Sequence, residues 1–213
     1  MAKRFILVGV VIACTCFISL AQTEISISQQ YPQYWEVNGQ PTMLLGGTVE
    51  DNLFQIPSLE EHLDLLTSVG GNYVRNTMSS RDDGNQWPFY LDQSTGLYDL
   101  DRWNNTYWLL FEKFLLATSS RGVVVQMEIW ATFDFYRENW DRNPFNPKNN
   151  SNYDSLRVDL PNNVPTHPVY TDNPFFWSIP EQNNNMRLLW YQQLYVDKIL
   201  SYTLKYGNVL YCI

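Results

Sequence analysis

Hydrophobic and polar positions along this chain repeat one pattern three times: an amphipathic helix, a glycine, then a short apolar strand. The first unit opens at Ser58 and Glu61, spaced as a capping box, and continues with Leu59, Leu63, Leu66 and Val69 at helical spacing. Gly70-Gly71 ends it, and Asn72-Tyr73-Val74-Arg75 begins a strand. In the second unit Asp99 or Asp101 caps a helix carrying Trp103, Tyr107, Leu110, Phe111, Phe114 and Leu115 on one side. Gly122 stops that helix before Val123-Val124-Val125-Gln126-Met127. The third opens at Asn183 to Asn185, carries Met186, Leu189, Trp190, Leu194, Ile199 and Leu200, and passes Gly207 into the strand 208–213. Each glycine falls where a helix needs a left-handed residue just past its end. Strands apolar on both faces predict a parallel sheet covered by helices, so the fold class is α/β.

Ahead of these units, Tyr34-Trp35-Glu36-Val37 and Pro41-Thr42-Met43-Leu44-Leu45 flank Asn38-Gly39, the signature of a tight β-hairpin. The connections are lopsided. Helix-to-strand joins are short, whereas strand-to-helix joins are long, above all residues 131–182. Long loops at the carboxyl ends of parallel strands build the active sites of (β/α)8 barrels. Doubly wound sheets also bind ligands at that edge, but neither a GxGxxG nor a Walker sequence follows any strand here, and no cofactor is expected.

The amino terminus reads as an address. Lys3 and Arg4 precede an apolar run from Phe5 to Leu20, and Ser19-Leu20-Ala21 fits signal peptidase, which predicts a signal peptide over 1–21 and a domain over 22–213. The run is shorter than the roughly 20 residues that span a bilayer, so no membrane span is expected. Val11-Ile12-Ala13-Cys14 also resembles a lipobox, which would place a lipid anchor on Cys14. The expected location is secreted or periplasmic, with a surface lipoprotein as the alternative.

Composition sharpens this picture. Of 213 residues, 14 are basic and 22 acidic, for a net charge of −8, which becomes −10 once Lys3 and Arg4 leave with the signal. No Lys/Arg cluster follows Arg4, which argues against a nucleic-acid partner. The 15% aromatic content rules out disorder, and three Cys are too few for a disulfide scaffold. Cys212 then reads as a buried small apolar residue. An acidic chain rich in aromatics and in Asn (20 residues) suits neutral polar ligands with flat apolar faces, sugars above all.

The residues resemble a known group at this point, the cellulase-like (β/α)8-barrel glycoside hydrolases of the large retaining clan. Tyr34 to Pro41 looks like their amino-terminal hairpin, and Gly71-Asn72-Tyr73-Val74-Arg75-Asn76 is similar to their second strand with its Arg. Leu100-Asp101-Arg102-Trp103-Asn104 with Gly122 to Val125 looks like their second helix and third strand. The resemblance implies a general acid/base Glu just past strand four and a nucleophilic Glu at the end of strand seven. The fourth strand is still running at Ile213, and a whole barrel needs eight strand–helix pairs and about 250 residues. The expectation is therefore the amino-terminal half of a barrel, strands one to four and helices one to three, with the catalytic pair beyond Ile213.

Retaining hydrolysis needs two carboxyl groups about 5–5.5 Å apart across the scissile bond. Carboxylates at the predicted strand ends are Glu50, Asp51, Asp82, Asp83, Glu128 and Asp134. Glu50 and Glu128 are the candidate acceptors for sugar hydroxyls, and Arg75 the candidate for orienting a catalytic carboxylate. Arg75 and Glu128 equally suit an ion pair across neighbouring strand ends. Trp87 and Trp130, with Trp140 and Trp177, lie in the long loops, where they could stack on pyranose faces or fill the loop interior. Trp103, Trp108 and Trp190 are read as helix packing. Asp82-Asp83-Gly84-Asn85 is a turn rather than a calcium loop, and His62 and His167 cannot form a zinc site of usual form, so no metal is expected. The alternative to a hydrolase is a non-catalytic, secreted carbohydrate-binding protein.

Overall fold

The structure is a computed structural model that describes residues 23–167 and 173–212. The predicted signal over 1–21, the lipobox and Ile213 lie outside the described residues.

Three short antiparallel strands open the fold: β1 (Ile25–Ile27), β2 (Trp35–Val37) and β3 (Gln40–Thr42), in that order in one sheet. The β2–β3 turn uses Asn38 and Gly39, both with positive φ (51° and 74°), as a two-residue primed turn requires. β1 is a strand the hydrophobic pattern gave no sign of. Its Ile25 amide donates to the carbonyl of Gly207, far along the chain.

The main sheet is parallel. β4 (Tyr73–Thr77), β7 (Val124–Glu128) and β8 (Val209–Cys212) lie side by side in chain order, and Gly46 adds an isolated parallel bridge to Tyr73. Each strand is reached through a helix: α1 (Leu59–Ser68), α2 (Asn105–Ser120) and α5 (Met186–Thr203). Sequential parallel order with a helix between each pair is the arrangement of a barrel segment and of one half of a doubly wound sheet. Gly46 is held so tightly against β4 that an added Cβ would sit 1.6 Å from the Tyr73 carbonyl oxygen.

One face of this sheet is covered. Val74, Val125 and Met127 pack with Leu63 of α1, Phe111 and Phe114 of α2, and Ile199 of α5, all essentially free of solvent. α2 turns Tyr107, Trp108, Phe111, Phe114, Leu115 and Thr118 inward at helical spacing. Each such large apolar side chain contributes about 1.5–3 kcal/mol by burial. Lys198 of α5 lies 5.0 to 5.7 Å from the rings of Trp103, Trp108 and Tyr202, a cation held among three aromatic faces.

Several sequence expectations are corrected. Asp99 and Asp101 do not cap the second helix. They lie in β6 (Leu97–Trp103), which pairs with β5 (Phe89–Asp92) in a hairpin within the first long loop. Trp103 therefore belongs to a strand, where it stacks on Phe89 at 5.3 Å. The cap of α2 is Asn104, whose side chain accepts from the amides of Thr106 and Tyr107. Ser58 does sit at the N-cap of α1, but its side chain makes no capping hydrogen bond. Trp190 is 56% exposed on α5 rather than packed, and Cys212 is half-buried rather than buried. Asn185 caps α5 as anticipated, accepting from the Leu188 amide at 3.1 Å. The second long loop folds on itself through α3 (Arg137–Arg142) and α4 (Ser155–Val158).

Candidate functional site at the strand ends

Side chains alternate along a strand, so the residues not facing the helices share the opposite face. On β4 and β7 these are Tyr73, Arg75, Gln126 and Glu128, with the buried Val124 and Thr77 at the two ends. The first four form two polar rungs. The Tyr73 hydroxyl donates to Gln126 Oε1 at 2.8 Å, and Arg75 Nε donates to Glu128 Oε2 at 2.9 Å. A second nitrogen of Arg75 donates to the same oxygen, so Glu128 Oε1 is left as an acceptor. Both predicted roles of this pair are thus compatible: it is an ion pair across neighbouring strands, and it still presents an oxygen.

Beyond the carboxyl end of β4 the chain runs Met78-Ser79-Ser80-Arg81 and builds a second charged group. Arg81 forms an ion pair with Asp51 and places Nη1 3.5 Å from Asp134 Oδ1. The Ser79 hydroxyl donates to the same Asp134 oxygen at 2.7 Å, and Asn52 donates to the Ser79 carbonyl at 2.6 Å. Asp134 is 5% exposed. Burial pushes its carboxyl up to about 6, against the hydrogen bond from Ser79 and the charge of Arg81, which pull it down. The hydroxyls of Tyr107 and Tyr195 both point at the Met78 carbonyl, at 3.5 and 3.4 Å.

A cavity of about 20 Å³ adjoins this group, walled by Trp87, Phe89, Trp130, Asp134, Phe145 and Tyr195. That is room for about one water molecule beside one carboxyl group in walls that are otherwise mostly aromatic and aliphatic.

The sequence candidates separate accordingly. Arg75 and Glu128 meet. Trp87 and Trp130 flank the cavity, both half-buried, and Trp130 packs against Phe135, Phe145, Phe175, Phe176 and Tyr195. Glu50 is exposed on the loop after Gly47, next to Asp51. Trp140 is withdrawn as a sugar contact. Its ring is fully buried and its indole N–H donates to the Pro161 carbonyl at 2.8 Å, so it serves as loop core. Asp82 to Asn85 is a turn closed by a 3.1 Å bond from the Asn85 amide to the Asp82 carbonyl. Ser79 and Arg81 went unpredicted. Their signal was position: short polar and cationic residues immediately after a strand, where they can reach back to its end.

Solved structures resemble the fold that carries these residues. A solved structure from Bacteroides vulgatus ATCC 8482, provisionally assigned as a glycoside hydrolase, aligns with TM-score 0.53 and 13% identity over 92% of this chain and 32% of its own. The chain shares the fold of that part of the structure. It spans about a third of that protein's length. An endo-1,4-beta-mannanase from Rhizomucor miehei aligns over 91% of this chain and 48% of its own, with TM-score 0.49 and 11% identity. No protein-family profile and no curated protein sequence matches the chain. Among the described residues, no helix is long and apolar enough to cross a membrane.

Proposed function

We propose that this chain is the amino-terminal part of a secreted glycoside hydrolase acting on O-glycosidic bonds of a poly- or oligosaccharide. In this reading Gly46, β4, β7 and β8 are the first four positions of an eight-stranded barrel, and the catalytic Glu pair lies beyond Ile213. The observation that carries it is the polar face at the strand ends. Sequential parallel strands bring Arg75 and Glu128 together there, with one carboxylate oxygen still open. A barrel interior places such groups toward the substrate, at the end where its loops form the site.

Glu50 and Glu128 would accept hydrogen bonds from sugar hydroxyls. Arg75 would orient a carboxylate, and Trp87 and Trp130 would bound the sugar laterally. The acidic, aromatic-rich composition supports a neutral glycan rather than a polyanion.

Sequencing the gene beyond codon 213 and assaying the whole product tests this. The expected result is an Asn-Glu pair within a few residues, four further strand–helix units, and release of reducing sugar from a soluble glycan. A stop codon at that point, with a soluble monomeric product that binds glycan without cleaving it, would assign a carbohydrate-binding protein instead.

A further inference from the structure

The second long loop carries a feature that the strand-end site does not use. Trp177 is 48% exposed, and among the described residues no other ring packs on it. It forms one wall of an open trough of about 400 Å³, whose other lining includes Ser155, Asp159, Pro161, Pro174 and Asn183.

The trough is rigid on both sides. The Trp177 amide donates to the Pro174 carbonyl and its carbonyl accepts from the Asn183 amide, each at 2.9 Å. Directly after it, the buried Ser178 hydroxyl bonds Gln192 of α5, and Gln192 Nε2 donates to the Phe175 carbonyl at 2.7 Å. Four residues before it, Asn173 Nδ2 donates to the Phe135 carbonyl at 2.9 Å. On the facing wall, Asn185 Nδ2 bonds the Val158 carbonyl, and buried Trp140 holds the Pro161 carbonyl. Asp159 is fixed in a left-handed conformation at the end of α4 (φ 49°). The backbone that carries the indole is therefore held from both sides.

The polar groups around it are available. Among the described residues, the side chains of Ser155, Asp159 and Asn183 and the indole N–H of Trp177 make no hydrogen bond within the protein. The lining contains no Lys or Arg. A large flat apolar face ringed by unpaired hydroxyl, amide and carboxylate groups matches a ligand with apolar C–H faces and equatorial hydroxyls. A backbone held in this way lowers the entropic cost of binding.

We infer that the Trp177 trough is a second carbohydrate-binding surface, separate from the strand-end site, that takes a neutral glycan by stacking on the indole. It shares its ligand class with the function proposed above but not its residues.

The test is affinity electrophoresis of the whole protein through gels containing hydroxyethyl cellulose, galactomannan or xyloglucan, with polygalacturonate as the anionic control. At least one neutral glycan should retard the protein. Trp177→Ala should weaken that binding about tenfold, and Trp177→Phe should retain most of it. Glu128→Gln, which alters the strand-end site, should leave the Trp177-dependent part of the retardation in place, and Leu109→Ala on the outer face of α2 should match wild type. Near-UV circular dichroism unchanged in Trp177→Ala apart from the lost indole would certify the fold.

The opposite pattern, with retardation lost in Glu128→Gln and kept in Trp177→Ala, overturns the trough and leaves the strand-end reading standing. Equal loss in both variants makes the two one continuous cleft and overturns a separate site. Glycan cleavage without any retardation rejects the trough alone. A Trp177-dependent dimer in sedimentation would reassign this surface to self-association.

Discussion

Arg75 and Glu128 do not face each other in register: Arg75 aligns with Gln126, and Glu128 with Thr77. The guanidinium reaches two residues forward, toward the carboxyl end of the sheet, to place Nε 2.9 Å from Oε2. The pair is unevenly solvated, with the arginine side chain 48% exposed and the glutamate 17%. Exposed pairs are worth about 0.2–1 kcal/mol, and partial burial puts this one at the upper end. A double-mutant cycle of Arg75→Met and Glu128→Gln, read by urea unfolding, should give a coupling of about 1 kcal/mol that shrinks in high salt. Zero coupling would reduce the pair to two independent solvated groups.

Asp134 makes stability depend on pH. Its carboxyl titrates near 6 in the folded protein against an ordinary value of 3.8, chiefly because it is buried. An acid with a raised folded pKa binds its proton more tightly in the native state. Stability from this group is therefore full below the unfolded value and is lost as pH rises toward 6. The loss should approach about 3 kcal/mol and level off above that pH. Asp134→Asn keeps an acceptor for Ser79 and removes the titration. The difference in unfolding free energy between the two proteins should change between pH 4 and 6. Parallel pH profiles would contradict this.

Neighbouring glycines should behave oppositely. A Cβ at Gly46 would meet the backbone carbonyl of Tyr73 at 1.6 Å, and a strand backbone cannot step aside. Gly46→Ala should cost about 3 kcal/mol or more. Nothing lies within 4 Å of a Cβ at Gly47, so Gly47→Ala should stay close to wild type in thermal unfolding. Similar melting temperatures for the two variants would show that the Gly46–Tyr73 bridge is not rigid.

The two helix caps separate in the same way. Asn104 accepts from the Thr106 amide at 3.1 Å and also donates to Gln86 and the Trp87 carbonyl. Asn104→Ala should cost about 1–2 kcal/mol. Ser58 makes no side-chain cap, and Ser58→Ala should change stability by less than about 0.5 kcal/mol. Chemical denaturation of both variants decides the matter.

How legible the molecule was depended on the range of the forces involved. α2 and α5 and the three parallel strands were readable because their burial follows a period set by local geometry. The β5–β6 hairpin was misread because Asp99 and Asp101 look like helix caps when only the helix after them is considered. The turn from Asp92 to Gly96, closed by a 2.8 Å bond between them, was the local signal for a hairpin instead. The Arg75–Glu128 meeting was foreseeable from two adjacent strands. The junction of Ser79, Arg81, Asp51 and Asp134 was not, because it joins three loops whose relative placement no single stretch of sequence specifies. Trp140 and Trp177 looked alike in sequence, and only the folded loop buries one and leaves the other at the surface.

The 2.9 Å bond from the Ile25 amide to Gly207 also bears on the order in which the molecule can assemble. It joins the two extremes of the described chain, a contact of nearly maximal sequence separation, and loop closure of that length is slow. A chain synthesised from its amino end must hold β1 without this partner until the turn after α5 has emerged. The helix–strand units can dock one after another in the meantime. The opening sheet is then tied to this turn only after α5 has been made, and Ile25 stays available to chaperones until that point.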